Sequence, residues 1–259
     1  MPANHGDASY TMSDRTVVIT GASGGIGAAL GELLARRGAS VVLVARREEA
    51  LQAVADRCGE RALPLVGDMT ERAEVRRVVE LAIAHFGHVD VWVNNVGRGI
   101  TRLPSQLTDE DIDEMMRVNV KSALYGMQEI LPHFKERGTG LVVNISSMLG
   151  RIPAVDYRAA YNAAKHFLNA LTANFRDEVR KTHPGIEFSL VMPGVVRTEF
   201  GRNARHGGPD SRELPGSQSV EEVAETIADG IEARRREIYT RPGARERVSD
   251  YYASLGRGP

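Results

Sequence analysis

Tyr161 and Lys165, four residues apart in "AAYNAAKHF" (159–167), have the side-chain types that proton transfer needs. On a helix that spacing puts both on one face, a turn apart. A free phenol titrates near ~10, too weak an acid to exchange protons readily at neutrality, and a neighbouring ammonium lowers that value by favouring phenolate. Lysine is scarce here: only Lys121, Lys135, Lys165 and Lys181 occur, and every other basic side chain except histidine is arginine. Arginine holds its proton too firmly to relay one, whereas a buried lysine shifts its pKa readily. A surface helix with a half-buried tyrosine would show the same spacing, and about 0.1 such pairs arise by chance at these frequencies. The pair needs supporting features.

A second candidate is "TGASGGIG" (20–27), with glycines at 21, 24, 25 and 27. Glycine lets the chain turn tightly and lets backbone approach a pyrophosphate, whose charge a following helix N-terminus favours. Gly21, Gly25 and Gly27 follow G-x-x-x-G-x-G rather than G-x-G-x-x-G, and a simple strand–helix turn is the plain alternative. In NAD binders an acidic residue near the end of the second strand takes the ribose hydroxyls, whereas arginine suits a 2′-phosphate. Here that position is Ala45, followed by Arg46 and Arg47. Two cations at a helix start conflict with the helix dipole unless an anion lies beside them. NADP(H) is therefore expected, ahead of NAD(H).

These groups require a frame. Apolar, β-branched runs at 16–20, 40–45, 62–68, 89–95, 140–147 and 186–194 alternate with helical patterns, and a short apolar run ends at 237–240. Helices are expected over Asp109–Arg137, Asp156–His183 and Val220–Arg236. Strands that are continuously apolar are buried on both faces, as in a parallel sheet, and βα alternation without a break makes one doubly wound α/β domain over 14–259. The long irregular stretch 199–219 is rich in Gly, Pro, Ser and charge, the composition of a lid over a site. Residues 1–13 are expected to be a disordered leader, having neither the basic nor the apolar region of a signal peptide.

With 259 residues, 42% hydrophobic and 26% charged, the composition is that of an ordinary soluble globular protein. The net charge of −1 argues against a nucleic-acid footprint. No apolar run approaches the roughly 18 residues of a membrane helix. The single cysteine, Cys58, cannot form an intrachain disulfide, which fits a cytoplasmic, reducing compartment, and it reads as a bystander in "ADRCGER".

The glycine turn, "NNVG" (94–97), "NISS" (144–147) and Tyr161-x-x-x-Lys165 occur in an order that resembles the short-chain dehydrogenase/reductase family, specifically its single-domain branch with a Thr-Gly-x-x-x-Gly-x-Gly turn. The resemblance covers roughly residues 14–245. It implies a Rossmann-type, doubly wound parallel sheet of about seven strands with helices on both faces. It also implies a catalytic set of Asn119, Ser147, Tyr161 and Lys165. Ser146 is the rival to Ser147, but the Ser-Ser-x-x-Gly pattern selects the second serine; Tyr157 is a decoy, being followed four residues later by Tyr161 rather than lysine. Cofactor contacts carried over by motif are Gly21, Ser23, Gly25, Ile26 and Gly27 in the turn, Arg46 and Arg47, Asp68 and Met69, Asn95 and Gly97, Tyr161 and Lys165, and Pro193, Gly194, Val196 and Thr198. No metal site is assigned. Two departures stand out: the Ser147–Tyr161 stretch is one residue longer than the commonest spacing, and Val96 replaces the usual alanine.

The implied activity is NADP(H)-dependent interconversion of a carbonyl and an alcohol by hydride transfer, with Tyr161 as acid or base. Ser147 would hold the substrate oxygen, Lys165 the nicotinamide ribose, and Asn119 a water joining Lys165 to solvent. An NAD-dependent alcohol dehydrogenase, an NAD(P)-linked epimerase or dehydratase, and a non-catalytic cofactor sensor or scaffold are the alternatives. The small-molecule pocket would be roofed by 199–219 and floored near Arg98, Met148, Leu149 and Met192; Arg98, Arg202, Arg205 and His206 could meet an anion there, but the plainer reading of them is solvated surface. A homodimer or homotetramer is expected, formed through the two long helices with close approach at Ala159, Ala160, Ala163 and Ala164.

Overall fold

The strands form where the sequence runs apolar and β-branched: β1 Thr16–Thr20, β2 Ser40–Ala45, β3 Ala62–Val66, β4 Val91–Asn94, β5 Gly140–Ile145, β6 Ile186–Met192 and β7 Glu237–Tyr239. In the computed structural model, which describes residues 10–256, they make one seven-stranded sheet in the order β3-β2-β1-β4-β5-β6-β7, parallel at every pairing. Between them lie α1 Gly25–Arg36, α2 Glu48–Cys58, α3 Arg72–Phe86, α4 Asp109–Met116, α5 Ser122–Arg137, α6 Ala159–Val179 and α7 Val220–Glu232. The chain closes with α8 Ala244–Leu255, a helix the sequence reading did not foresee.

Alternation along each strand divides the core in two. Val17, Ile19, Val41, Leu43, Val91 and Val143 face α1, α2 and α7, while Val18, Val42, Trp92, Val142 and Phe188 face α3, α5 and the C-terminal part of α6. Both faces are covered, so β1 and β5 are buried at every position. A buried polar chain ties the middle of the sheet to α6: Trp92 Nε1 donates to Asn94 Oδ1 (2.7 Å), Asn94 Nδ2 to Asn144 Oδ1 (2.8 Å), and Asn144 Nδ2 to Thr172 Oγ1 (2.8 Å). Fully satisfied buried networks of this kind fix one relative placement of their elements.

The helices begin where their caps dictate. Thr108 and Ser219 each close a capping box on α4 and α7, with Asp111 and Glu222 returning the bond. The expected helix Asp109–Arg137 is continuous but contains a π turn at Arg117–Lys121, centred on Asn119. The Tyr161 helix is shorter than read: residues 156–158 form a 3₁₀ turn, and α6 ends at Val179.

The reading of 1–13 as a leader needs correction at its inner end. Residues 1–9 lie outside the described residues, but Met12 is fully buried in the core with α1 and β2, and Arg15 and Arg234 stack on the Tyr10 ring at 4.6 and 4.7 Å. An apolar side chain in "SYTM" had a partner that only the folded sheet supplies. Among the described residues, no helix is long and apolar enough to cross a membrane.

Candidate active site

The sheet order reverses between β1 and β4, and in doubly wound sheets the crevice beyond the strand ends at this point takes the ligand. A cleft of about 360 Å³ opens there. Gly21 and Gly25 adopt φ of +67° and +57°, a region that side chains strain to reach. Gly27 faces inward: a Cβ there would stand 2.5 Å from the Gly21 carbonyl and 2.6 Å from Asn95 Nδ2. Asn95 stitches this turn to β4, donating from Nδ2 to the carbonyls of Thr20 (3.0 Å) and Gly21 (3.1 Å). The result is a glycine-lined strand–helix turn open to the cleft, a shape and polarity that fit a dinucleotide pyrophosphate.

The cleft walls include Gly21, Ser23, Gly25, Ile26, Arg47, Asn95, Gly97, Ser147, Tyr161, Lys165, Pro193, Gly194, Val196 and Thr198. Gly27 lies beneath the turn. Arg46, Asp68 and Met69 sit at the ends of β2 and β3, outside the lining. There Arg46 pairs with Asp68 (3.6 Å), whose carboxylate also accepts from Thr70 N and Oγ1 at 2.9 Å each. Burial works to raise the Asp68 pKa, but the Thr70 bonds and the Arg46 and Arg117 charges hold it below its ordinary value. Arg47 is the N-cap residue of α2 and leans onto Ser23, its Nη2 3.2 Å from both the carbonyl and the hydroxyl. Glu48 and Glu49 follow in the first turn, so the charge conflict inferred at this helix start is met partly by the helix itself.

Tyr161 and Lys165 project from the buried side of α6, with 6% and 3% of their surface exposed. The Lys165 ammonium donates to the Ile145 carbonyl at 2.9 Å and lies 5.7 Å from the Tyr161 ring centre. Phe200 packs edge-on against that ring with centroids 5.4 Å apart. Burial pushes the Tyr161 phenol up to about 12, outweighing the nearby Ser147 hydroxyl and Arg158 guanidinium, which both lower it. Burial likewise brings Lys165 down to about 7. The expectation that Lys165 would depress Tyr161 is therefore not met in this arrangement. Desolvation acts against the charged form of both groups, and the ammonium points to a carbonyl rather than to the phenol.

Both serines line the cleft; Ser147 accepts from Leu149 N at 3.1 Å, whereas the Ser146 hydroxyl donates to Asn169 Oδ1 at 2.5 Å. Asn119 stands behind the wall. Its Oδ1 accepts from Arg98 N (3.1 Å) and its Nδ2 donates to Arg98 O (2.9 Å), so the side chain clamps the strand-end loop. Gly97 separates Asn119 from Lys165: a Cβ there would lie 3.1 Å from Asn119 Oδ1 and 3.6 Å from Lys165 Nζ.

The 199–219 stretch does overhang the cleft through Phe200, Asn203, Pro209, Ser211 and Leu214. Of the proposed floor only Leu149 lines it; Met148, Met192 and Arg98 do not. Arg98 and His206 are exposed, as read, but with Arg205 they are also engaged by acids: Arg98 pairs with Glu114 (2.5 Å), His206 lies 2.8 Å from Asp111, and Arg205 pairs with both acids. Sequence reading missed Val155 and Arg158 as lining residues, since nothing local marks residues 155–158 as bordering a site. Tyr157, set aside as a decoy for catalysis, borders the cleft. Cys58 is half-buried, and burial raises its thiol to about 11, which leaves it unreactive.

This combination of parallel sheet, glycine turn at the switch point and buried Tyr/Lys pair defines a Rossmann-type oxidoreductase. The chain belongs to the short-chain dehydrogenase family, whose profile matches residues 15–208. An uncharacterized oxidoreductase of Staphylococcus aureus is 32% identical over 235 residues, covering 89% of this chain and 98% of that protein. A short-chain dehydrogenase of Burkholderia cenocepacia, solved with NADP, is 26% identical with a TM-score of 0.80, covering 96% of this chain and all (100%) of its own. One from Burkholderia phymatum, solved with NAD, has a TM-score of 0.87 at 24% identity over 96% of this chain and 98% of its own, a likeness of fold.

Proposed function

We propose that this protein is an NADP(H)-dependent oxidoreductase interconverting a carbonyl and an alcohol, with Tyr161 as the proton donor or acceptor. The observation that carries the reading is the buried Tyr161, with Ser147 beside it and Lys165 one turn on, in the wall of a cleft that begins at the glycine turn. Bound nicotinamide would supply or accept the hydride. The glycine turn, Asn95, Gly97 and the 193–198 segment would hold it, and Arg46 and Arg47 would meet the 2′-phosphate. NADP is favoured because Ala45 offers no carboxylate to ribose hydroxyls, while Arg47 lines the cleft.

The residues divide the work. Ser147 donates to the substrate oxygen and stabilises charge developing on it. Tyr161 passes its proton to that oxygen in reduction and takes it back in oxidation. Lys165, close to neutral pH in its titration, accepts and releases protons behind Tyr161 and, when charged, favours phenolate. Pairing of two subunits through α5 and α6 is part of the proposal. Phe167 and Ile112 are 49% and 42% exposed on α6 and α4, and Ala163 is exposed beside them, although Ala160 and Ala164 are buried within the monomer.

The test is a titration with NADPH and then NADH, followed by nicotinamide fluorescence. NADPH should bind more tightly, and Arg46→Ala and Arg47→Ala should each bring it toward the NADH value. Tyr161→Phe should keep cofactor binding and lose turnover by about 10²–10⁴-fold. Tighter NADH binding would return the alternative of an NAD-dependent dehydrogenase, and binding of neither would favour a non-catalytic protein.

A further inference from the structure

Several basic side chains near the substrate side of the cleft are engaged by carboxylates. Arg98, Arg102, Arg205 and His206 all pair with Asp111 or Glu114. Arg158 lines the cleft with 8% of its surface exposed, and among the described residues it has no acidic partner. Its guanidinium makes one hydrogen bond, Nη1 to the Ile100 carbonyl at 3.0 Å. A guanidinium carries five N–H donors, and a buried charge without a counter-charge is costly. Its remaining nitrogens are not sealed within protein, in contrast to Nε of Arg151 and Arg241. Burial lowers the Arg158 pKa, yet arginine stays charged at any physiological pH.

The surroundings say what could satisfy it. Leu149, Val155, Phe200 and Leu214 make the neighbouring wall apolar. Glu199 is the one acidic residue in the lining and sits exposed, in the field of Arg212. Arg158 is the N-cap residue of α6, one turn before Tyr161. We propose that Arg158 is a specificity-determining residue that receives a substrate carboxylate, so that the carbonyl substrate is an oxo acid whose acid group lies a few bonds from the reacting carbon. A guanidinium suits this because it grips a carboxylate with two parallel bonds, and the apolar wall covers the carbons between the two groups. This inference rests on the oxidoreductase reading of the same cleft.

The experiment is calorimetric titration of the protein saturated with whichever of NADP⁺ and NAD⁺ it binds more tightly. The probes are 4-oxopentanoate, 5-oxohexanoate and their methyl esters. The wild type should bind at least one acid roughly tenfold or more tightly than its ester, the scale of a hydrogen-bonded charge pair. Arg158→Gln should erase that difference by weakening the acid alone, and Arg158→Lys should keep part of it. If Arg158→Gln melts well below the wild type, Arg158→Lys carries the comparison: it must lower the affinity for acid and leave that for ester unchanged. Equal binding of acid and ester, absence of acid binding, or equal weakening of both in the variants overturns the proposal. Turnover of the same probes with reduced cofactor separates the two readings. Acid-selective binding that depends on Arg158, without reduction of any probe, keeps the carboxylate subsite and counts against the oxidoreductase.

Discussion

Lys165 places its ammonium 2.9 Å from the Ile145 carbonyl, inside the protein, and its titration falls to about 7 from an ordinary 10.5. Between those two pH values the unfolded chain binds a proton that the folded chain does not, so this residue makes stability rise with pH across the interval. Below about 7 both states are protonated and the burial penalty on the ammonium is felt in full. Tyr161 has the opposite sign and acts only above pH 10, where the folded state keeps its proton up to about 12. Thermal melts of wild type and Lys165→Met between pH 6 and 9.5 isolate the lysine. The difference in Tm, wild type minus variant, should climb steadily with pH. A flat difference would mean that Lys165 is charged in the fold with its ordinary pKa. In the sequence the Tyr161–Lys165 spacing was plain, but the burial that raises the phenol was not, because spacing carries no information about what excludes water.

The strand–turn–helix from β1 to α1 works because backbone closes on backbone. Gly27 is itself buried, and a methyl group there would press on the Gly21 carbonyl and on the Asn95 amide that holds the turn to β4. Gly27→Ala should cost about 1–3 kcal/mol, the usual range for overpacking a tight site, and should weaken cofactor binding as the turn opens. Melting and fluorescence titration together check this; an unchanged binding constant would place the turn's function elsewhere. The π turn at Arg117–Lys121 is a second device at this scale. It turns Asn119 onto the Arg98 backbone while α4 and α5 continue on either side. π turns often occur at functional sites, yet no residue pattern in "RVNVKS" announces one.

Over the whole molecule, the 199–219 segment is fastened down by charge. Asp111 is fully buried, and although burial works to raise its pKa, Arg102, His206, Thr108 and Arg205 together hold the carboxyl well below the ordinary range. Two of those partners, Arg205 and His206, belong to the segment, and the backbone adds Thr101 N to Arg205 O at 3.0 Å. His206 takes a φ of +65°, an uncommon backbone conformation, while its Nε2 stands 2.8 Å from Asp111 Oδ1. Asp111→Asn should release the segment: trypsin should cut after Arg202, Arg205 or Arg212 several-fold faster, roughly as local opening governs cleavage. Cofactor binding at the glycine turn should hold. Unchanged proteolysis would show that the backbone contacts suffice.

Several features were determined by local pattern alone. The seven strands, the helix carrying Tyr161 and Lys165, the glycine turn after β1 and the irregular segment over the cleft all follow from periodicity, spacing and turn chemistry, which act between residues a few positions apart. The tertiary structure decided matters that involve distant partners. It placed Met12 in the core and drew the side chains of Arg98, Arg205 and His206 onto Asp111 and Glu114. It also left Arg158 charged, buried and facing the cleft. The physical reason is that burial and pairing are set by what the chain brings together across tens of residues, and desolvation, which governs Tyr161, Lys165 and Arg158, exists only once those neighbours have excluded water.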